Sequence, residues 1–364
     1  MSIIVDLQLY DDDLGGGKTF IDSLLPLVFQ DNPNIQFKLI GPKTVKNRFS
    51  ETCSNVEMVL TTPSRSFLGR ALVSLYLACY SFFRRDNVYW GPLNFIGFLP
   101  NFFTKTVVTI HDVMSLDCPE YYSPLELVFR RWQLRCALAF SSHIVSVSQF
   151  TDSRVKFYCT ASEKEFYVSY ESYAPLNMVS EQPETYISGK FLLFLGVGRK
   201  NKNLEFLVRS FDILVEKTGY EGQLVIAGKV PQRELDILID VSKFPTRIVF
   251  PGYVSDTTLV SLYKNSDAFL FPSVYEGFGL PPIEALFYGA KLVLSDIPVF
   301  VELYSNVATL SAISAPTIFA NAICSSLESN EPIDLSGFWD EFSWQKSSNF
   351  YISILNEASL TKSG

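Results

Sequence analysis

The chain has 364 residues, of which 48% are hydrophobic and 19% are charged, a composition typical of a folded protein rather than a disordered one. Its formal net charge of −8 is unlike that of a nucleic-acid binder, which presents a basic surface. The length exceeds what one hydrophobic core usually supports and favours two domains. Six scattered cysteines without a CxxC pair, and a start without a secretory signal, predict a reducing, cytoplasmic location.

Short β-branched runs alternate with amphipathic stretches along the chain, which is the pattern of βαβ units and parallel sheets. In the first half the sequence predicts a helix over 18–30 and strands at "IIVDLQL", "NVYW", "TVVTI" and "HIVSVS". In the second half it predicts a helix over 203–217 and strands at "KFLLFLG", "QLVIAG", "RIVFPG", "AFLFPS" and "KLVLS". The polar stretch between the halves has two prolines and no hydrophobic period, as expected of a linker.

We therefore predict an α/β protein with two doubly wound domains, over 1–172 and 190–337, joined by a linker over 173–189. The remaining segment, 338–364, begins with a stretch that looks helical over 338–355. Doubly wound sheets bind ligands just outside the carboxyl ends of their strands. The residues that carry chemistry are accordingly expected in the loops that follow strands.

The stretch "SVYEGFGLPPIEALFYG", residues 273–289, places two glutamates on either side of a bend rich in glycine and proline. Gly277 and Gly279 would let a ligand approach the backbone, and the following helix start favours an anion such as a phosphate. Glu276 and Glu284 would then accept hydrogen bonds from hydroxyls on either side of that anion. Hydroxyls, diphosphate and hydroxyls form the outline of a nucleotide sugar. The alternative is an ordinary strand–turn–helix connection with both glutamates in solvent.

Residues 252–303, which contain this stretch, resemble the donor-binding core of the retaining glycosyltransferases of family four, also called group 1. The chain is similar to the bacterial polysaccharide mannosyltransferases among them. The resemblance implies the GT-B fold, in which two Rossmann-like domains face a central cleft and the C-terminal helix packs back on the first domain. It also implies that Glu276 holds hexose hydroxyls and Glu284 holds the ribose. The backbone beside sugar and phosphate would be that of Gly277, Phe278, Gly279 and Leu280.

The second stretch, "LFLGVGRKNKNLEFL" over 193–207, gathers three cations before a helix. Cations here would neutralise the charge that builds on a departing diphosphate, whereas a solvated basic turn is the alternative. The resembling family carries Arg-Lys-Asn at this place, and the alignment puts Lys202 and Asn203 on its last two positions. Asn201 then stands where the family has arginine, a departure that Arg199 or Lys200 would have to compensate.

The third stretch, "VVTIHDVMSLDCPEYYSP" over 107–124, places His111 directly after a strand. By the resemblance His111 contacts the transferred sugar near its reacting carbon, Asp112 supports the loop, and Ser148 lines the cleft. A lone histidine is more often structural, and that is our interpretation of His143, which lies within an apolar strand.

The last stretch, "LYDDDLGGGKTFI" over 9–21, only imitates a phosphate-binding loop, because Asp12 occupies the position where that motif needs a further glycine. The resemblance instead implies that Gly16 and Gly17 lie near donor phosphate and acceptor. The aspartates beside them are interpreted as acceptor-side or solvated. Loops that could read the base are found at Gly228, Lys229, Tyr253 and Val254.

The predicted function is that of a retaining, metal-independent hexosyltransferase that needs no cofactor. Its donor would be a nucleoside-diphosphate sugar, with GDP-mannose favoured, and its acceptor a glycan or a lipid-linked glycan. His111, Glu276 and Lys202 would be the catalytic residues. Two alternatives stay open: another sugar-nucleotide enzyme on the same fold, and a non-catalytic partner subunit. The second draws on Asn201 and on "VSYESY" over 168–173, where the family usually has a Tyr-Asn-Gly turn.

The apolar stretch over 71–83, flanked by arginines, is too short to cross a bilayer. A buried helix is one interpretation of it, and weak peripheral contact with the inner face of a membrane is the other.

Overall fold

The structure is a computed structural model. It describes residues 2–11, 15–49, 53–62, 67–83, 88–97, 105–159, 163–174, 176, 187, 189–329 and 331–360. The chain forms two compact units. Unit 1 consists of Met1–Ser172 together with Trp339–Gly364, and unit 2 consists of Tyr173–Phe338.

Unit 1 is built around one parallel sheet, for which the described residues supply seven strands in the order β3-β2-β1-β4-β5-β6-β7. The strands are β1 (Ser2–Asp6), β2 (Gln36–Pro42), β3 (Val56–Thr62), β4 (Val88–Gly91), β5 (Thr106–Ile110), β6 (His143–Ser146) and β7 (Glu165–Val168). The helices between them are α1 (Gly16–Gln30), α2 (Lys43–Phe49), α3 (Phe67–Phe83), α4 (Met114–Asp117), α5 (Pro124–Phe140) and α6 (Gln149–Tyr158). Its central strands are buried along their whole length, as expected of parallel strands covered on both faces.

Unit 2 repeats this arrangement with six strands among the described residues, in the order β10-β9-β8-β11-β12-β13. They are β8 (Phe191–Leu195), β9 (Gln223–Ala227), β10 (Ile248–Gly252), β11 (Ala268–Phe271), β12 (Leu292–Ser295) and β13 (Thr309–Ser311). The helices are α7 (Leu204–Thr218), α8 (Gln232–Val241), α9 (Asp256–Asn265), α10 (Leu280–Phe287), α11 (Pro298–Tyr304) and α12 (Pro316–Glu328).

Both sheets reverse their strand order once, between β1 and β4 in unit 1 and between β8 and β11 in unit 2. At such a switch point the loops after the two neighbouring strands diverge and leave room for a ligand. Three of the four stretches singled out in the sequence follow strands β1, β8 and β11, and the fourth follows β5, the neighbour of β4.

The C-terminal segment is helical over most of 338–355, as predicted, and forms two helices, α13 (Phe338–Glu341) and α14 (Trp344–Leu360), with a break at 342–343. The break coincides with a contact to a distant part of the chain: the Phe342 carbonyl accepts a hydrogen bond from Ser172 Oγ at 2.9 Å, and the Phe342 ring packs on Tyr170. Helix α14 then lies on the sheet of unit 1. Its Tyr351 hydroxyl accepts a hydrogen bond from Thr109 on β5, and the Tyr351 ring packs against Trp90 on β4.

Glycine is required where three loops of unit 2 touch backbone to backbone. Gly228 follows β9 with a φ of +113°, and its N–H donates to the Gly252 carbonyl at 2.8 Å. A Cβ at this position would overlap the Gly196 carbonyl oxygen of the loop after β8. Because Gly228 has no side chain, the loops after β8, β9 and β10 can lie in contact.

We expect Gly228→Ala to cost about 3 kcal/mol or more, because backbone strain and a backbone clash add together. Gly219→Ala is the matched control, since Gly219 also has a positive φ but open space around its Cβ direction; it should cost about 1–2 kcal/mol. Thermal denaturation of both variants measures the difference. Equal shifts in Tm would show that the contact between the loops does not matter.

Candidate functional site

In unit 2 the loops after β8 and β11 are joined by an ion pair at the switch point of the sheet. Lys202 Nζ donates to Glu276 Oε1 at 2.6 Å, and the ammonium also lies 4.6 Å from the centre of the Phe271 ring. The two side chains are only 12% and 13% exposed. Cation and carboxylate are therefore held together in partial shelter from water, where each has more electrostatic effect than at an open surface.

Asn201 ties the same two loops together. Its carbonyl accepts from Val274 N at 2.9 Å, and its buried side-chain amide donates to the Tyr275 carbonyl at 3.1 Å. Where the resembling family has an arginine, this chain thus has a short, buried amide. Arg199 and Lys200 are exposed on the same turn, and Asn203 beside them adopts a left-handed conformation before α7.

The bend before α10 also depends on a glycine. Gly279 has a φ of +98°, and a Cβ there would meet the Phe300 ring at 2.7 Å. Its carbonyl accepts from the Tyr304 hydroxyl at 3.0 Å. Gly277, Phe278 and Leu280 are buried around it. Helix α10 then starts with two prolines in its first turn, where the missing N–H groups cost little.

Glu284 lies on α10 and is 7% exposed. The Tyr263 hydroxyl on α9 donates to its Oε2 at 3.3 Å. Burial raises the pKa of Glu284 to about 7, because desolvation disfavours the charged form more strongly than the Tyr263 hydrogen bond favours it. The Glu284 carboxyl group can therefore accept further hydrogen bonds when a ligand supplies donors. The alternative of two glutamates in open solvent does not agree with the burial of either side chain.

In unit 1, His111 occupies the loop after β5 and is held on several sides. Its Nδ1 lies 2.9 Å from Glu171 Oε1, and its Nε2 lies 2.8 Å from the Pro92 carbonyl oxygen. Its backbone N–H donates to Asn94 Oδ1 at 2.6 Å. The Phe20 ring, on the helix that follows the glycine-rich loop, packs edge-on at 4.7 Å between ring centres.

The other predicted site residues of unit 1 have different surroundings. Asp112 Oδ1 accepts from Met114 N at 3.0 Å and so caps the turn that follows His111. Ser148 does not line an open surface, because it is fully buried as the N-cap of α6 and accepts from Thr151 N. Gly16 is exposed and Gly17 half-buried at the start of α1; Asp12 and Asp13 of the aspartate run lie outside the described residues.

The predicted base-reading residues are arranged around the glycine contact of unit 2. Lys229 is exposed, and its carbonyl accepts from Gly198 N at 3.0 Å. Tyr253 is 77% exposed, whereas Val254 is buried. Tyr253, the aromatic residue of this set, therefore presents an exposed ring on which a base could stack.

Several residues that contact the predicted site residues were not found from the sequence, among them Glu171, Pro92 and Tyr263. Glu171 could have been recognised from the sequence, because it is a carboxylate just after a strand, in the "VSYESY" stretch where the resembling family has its Tyr-Asn-Gly turn. Pro92 acts through its carbonyl, and Tyr263 is a buried aromatic residue on a helix, which is the usual pattern of core packing, so neither could be recognised from the sequence.

Within the described ranges, no cluster of three or more histidine, cysteine, aspartate or glutamate side chains is placed to hold a metal ion. In the same part of the chain, every helix is too short or too polar to cross a bilayer.

Residues 180–332 match the family model of the glycosyl transferases group 1. The chain is 29% identical to O-antigen chain mannosyltransferase B of Escherichia coli over 230 residues, which is 58% of this chain and 58% of that protein. The chain thus spans a little over half the length of this curated relative. Among solved structures, WaaG, a glycosyltransferase involved in lipopolysaccharide biosynthesis, superposes with a TM-score of 0.65 at 13% identity over 99% of this chain and 98% of WaaG. Anabaena HepE in complex with UDP gives 0.67 at 14% identity over 98% and 99%.

These comparisons confirm the predicted fold class, an α/β protein with two Rossmann-like domains of the GT-B type. The resemblance to group 1 glycosyltransferases, and to bacterial polysaccharide mannosyltransferases among them, is also confirmed.

Proposed function

We propose that this chain, with its match to the group 1 glycosyl transferases, is a retaining glycosyltransferase that uses GDP-mannose as donor. The acceptor would be a hydroxyl of a glycan or lipid-linked glycan. The observation that carries the proposal is the Lys202–Glu276 pair on the two loops that flank the switch point of unit 2, followed along the chain by the buried Glu284 on α10. The mannosyltransferase relative supports the choice of sugar.

The proposed roles follow from the chemistry of each side chain. Lys202 and the backbone N–H groups of the bend that precedes α10 would bind the diphosphate and stabilise its charge as it leaves. Glu276 would accept hydrogen bonds from hexose hydroxyls, and Glu284 from the ribose. Gly277 and Gly279 would let the donor lie against the backbone between these two carboxylates.

The reaction would proceed on one face of the sugar. The bond between the anomeric carbon and the diphosphate oxygen breaks, and the diphosphate leaves with the electron pair. The acceptor hydroxyl oxygen bonds to the same face of that carbon, and a diphosphate oxygen takes the hydroxyl proton. No metal ion and no cofactor enter this scheme.

A panel of nucleotide sugars tests the assignment. We expect GDP-mannose to raise the Tm of the purified chain more than UDP-glucose does, and we expect mannose transfer with retention of configuration, followed by NMR of the product's anomeric carbon. Stabilisation by UDP-glucose alone would overturn the choice of donor. Binding of GDP-mannose without transfer or hydrolysis would indicate a non-catalytic partner subunit instead.

The titration of Glu284 predicts how donor affinity depends on pH. Its pKa of about 7 is raised from 4.5, so the carboxylate that accepts the ribose hydroxyls is lost as pH falls through 7. We expect the Kd for GDP-mannose to rise about tenfold from pH 8 to pH 6. In Glu284→Gln the affinity should be weaker at pH 8 and nearly independent of pH. The same pH dependence in that variant would show that another group titrates.

We also propose that the protein works at the cytoplasmic face of a membrane and makes peripheral contact with it. Helix α3 exposes Leu72 and Leu75, and α5 exposes Leu125 and Val128. Apolar side chains on an outer helix face favour a lipid surface when cations accompany them, and Arg130 lies on the same helix as Leu125. Flotation with liposomes containing anionic lipid tests this contact, and absence of flotation would contradict it.

A further inference from the structure

Both ring nitrogens of His111 face oxygen atoms that accept hydrogen bonds. Nδ1 is 2.9 Å from a Glu171 carboxylate oxygen and Nε2 is 2.8 Å from the Pro92 carbonyl. A carbonyl oxygen can only accept, so Nε2 must carry a proton. A neutral imidazole would then present a lone pair at Nδ1 to the Glu171 oxygen. That contact is favourable only if a proton lies between the two atoms, either on the ring or on the carboxyl group.

The charges around the ring decide where this proton resides. Glu171, after β7, is 4% exposed and points directly at the ring, and Asp112 on the histidine's own loop adds a second negative charge. The elements packed against the ring from elsewhere contribute the Pro92 carbonyl, the Asn94 amide and the Phe20 ring. Burial by itself lowers the pKa of His111, but the hydrogen bond and charge of Glu171 outweigh it and the pKa is raised above 6.5.

We propose that Glu171 is a positioning residue that holds His111 as an imidazolium with a fixed ring. Both N–H groups then donate, one to Glu171 and one to Pro92, and neither nitrogen is free to accept a proton. The proposal rests on the proposed function for its catalytic meaning. In that reaction His111 would not act as the base, because neither ring nitrogen has a free lone pair, so the acceptor proton would pass to the leaving diphosphate.

The pair also predicts a change of stability with pH. Because the folded-state pKa of His111 is raised, the stabilisation it provides is complete below the unfolded-state pKa of 6.5. It is lost as pH rises through the folded-state value. Replacing Glu171 by glutamine removes the charge and keeps the size, so the stabilisation should shrink and His111 should titrate at lower pH.

NMR of protein labelled with ¹⁵N-histidine tests the proposal directly, because the chain has only two histidines. His143 is the internal control, since burial lowers its pKa, and His143→Gln assigns the two sets of signals. We expect both nitrogens of His111 to be protonated at pH 7 while His143 is neutral. In Glu171→Gln the midpoint for His111 should fall, and in Glu171→Asp the charge should keep it higher than in Glu171→Gln.

A neutral His111 at pH 7, with its single proton on Nε2, would overturn the proposal, because Nδ1 would then have no proton to donate to Glu171. This readout uses the wild-type chain and does not require any variant to fold. Activity supplies a separate result: Glu171→Gln should lower kcat about tenfold or more with little change in KM for the donor. An imidazolium in a chain that transfers no sugar would sink the proposed function and leave the protonation state of His111 established.

Discussion

Replacing Glu276 by alanine is expected to lower kcat/KM for mannose transfer by about 10²–10⁴. The carboxylate would accept two charge-assisted hydrogen bonds from hexose hydroxyls, each worth about 1.5–3 kcal/mol, and the loss of both accounts for this range. Glu276→Gln should retain part of the activity, because an amide oxygen still accepts one hydrogen bond but carries no charge. Steady-state kinetics with varied GDP-mannose measures both effects.

Glu221→Gln is the matched control for this series, because Glu221 is an exposed glutamate of the same unit. It should transfer mannose at the wild-type rate. Activity near the wild-type level in Glu276→Ala would remove Glu276 from the site, and with it the assignment of the loop after β11 to the donor sugar.

Replacing Lys202 by methionine is expected to lower kcat by about 10²–10³, the usual effect of losing one group that stabilises charge on a leaving group. Methionine keeps much of the length and the apolar stem that lies against Phe271 but removes the ammonium. Binding of GDP-mannose should weaken less than kcat falls, because the charge on the diphosphate grows as the bond breaks. Single-turnover kinetics separates the two effects.

Two further variants separate chemistry from folding. Lys202→Met leaves the sheltered Glu276 carboxylate without its cation, which is itself destabilising, whereas the double variant with Glu276→Gln has no unpaired charge. The double variant should therefore recover Tm but not activity. Lys264→Met is the control and should have nearly wild-type activity, since Lys264 is an exposed lysine of the same unit outside these loops. Nearly wild-type activity in Lys202→Met as well would remove the Lys202 ammonium from the proposed site.

The sequence predicted the parts of the fold whose cause is local. The central strands of both sheets are short runs of buried apolar residues, which is why "TVVTI" and "AFLFPS" indicated strands β5 and β11. Strands β2, β3, β7 and β13 were not predicted. Polar residues alternate with apolar ones at the start of β2 and β3, whereas β7 and β13 are only four and three residues long, and the pairing of all of them depends on distant strands. The break between α13 and α14 was also missed. It coincides with the hydrogen bond from Ser172 to Phe342, which joins residues 170 positions apart.

The same division holds for the candidate site. Glu276, Glu284 and Lys202 lie in contiguous motifs, and the sequence alone pointed to them. Their pairing could not be predicted, since Lys202 and Glu276 are 74 positions apart and meet only because β8 and β11 are neighbours in the sheet. In the sequence, Asn201 is notable because it stands where the resembling family has arginine. Only the structure shows that its side-chain amide joins two loops. Glu171 was noticed as a departure in a turn, but its contact with His111 requires the order of β5, β6 and β7.

A crystal structure of the chain with GDP-mannose, or with a non-hydrolysable analogue of it, tests the central claim most directly. The account predicts Glu276 within hydrogen-bond distance of the hexose hydroxyls, Lys202 on the diphosphate and Glu284 on the ribose. A nucleotide bound elsewhere on the chain, with Lys202 and Glu276 still paired only to each other, would contradict it.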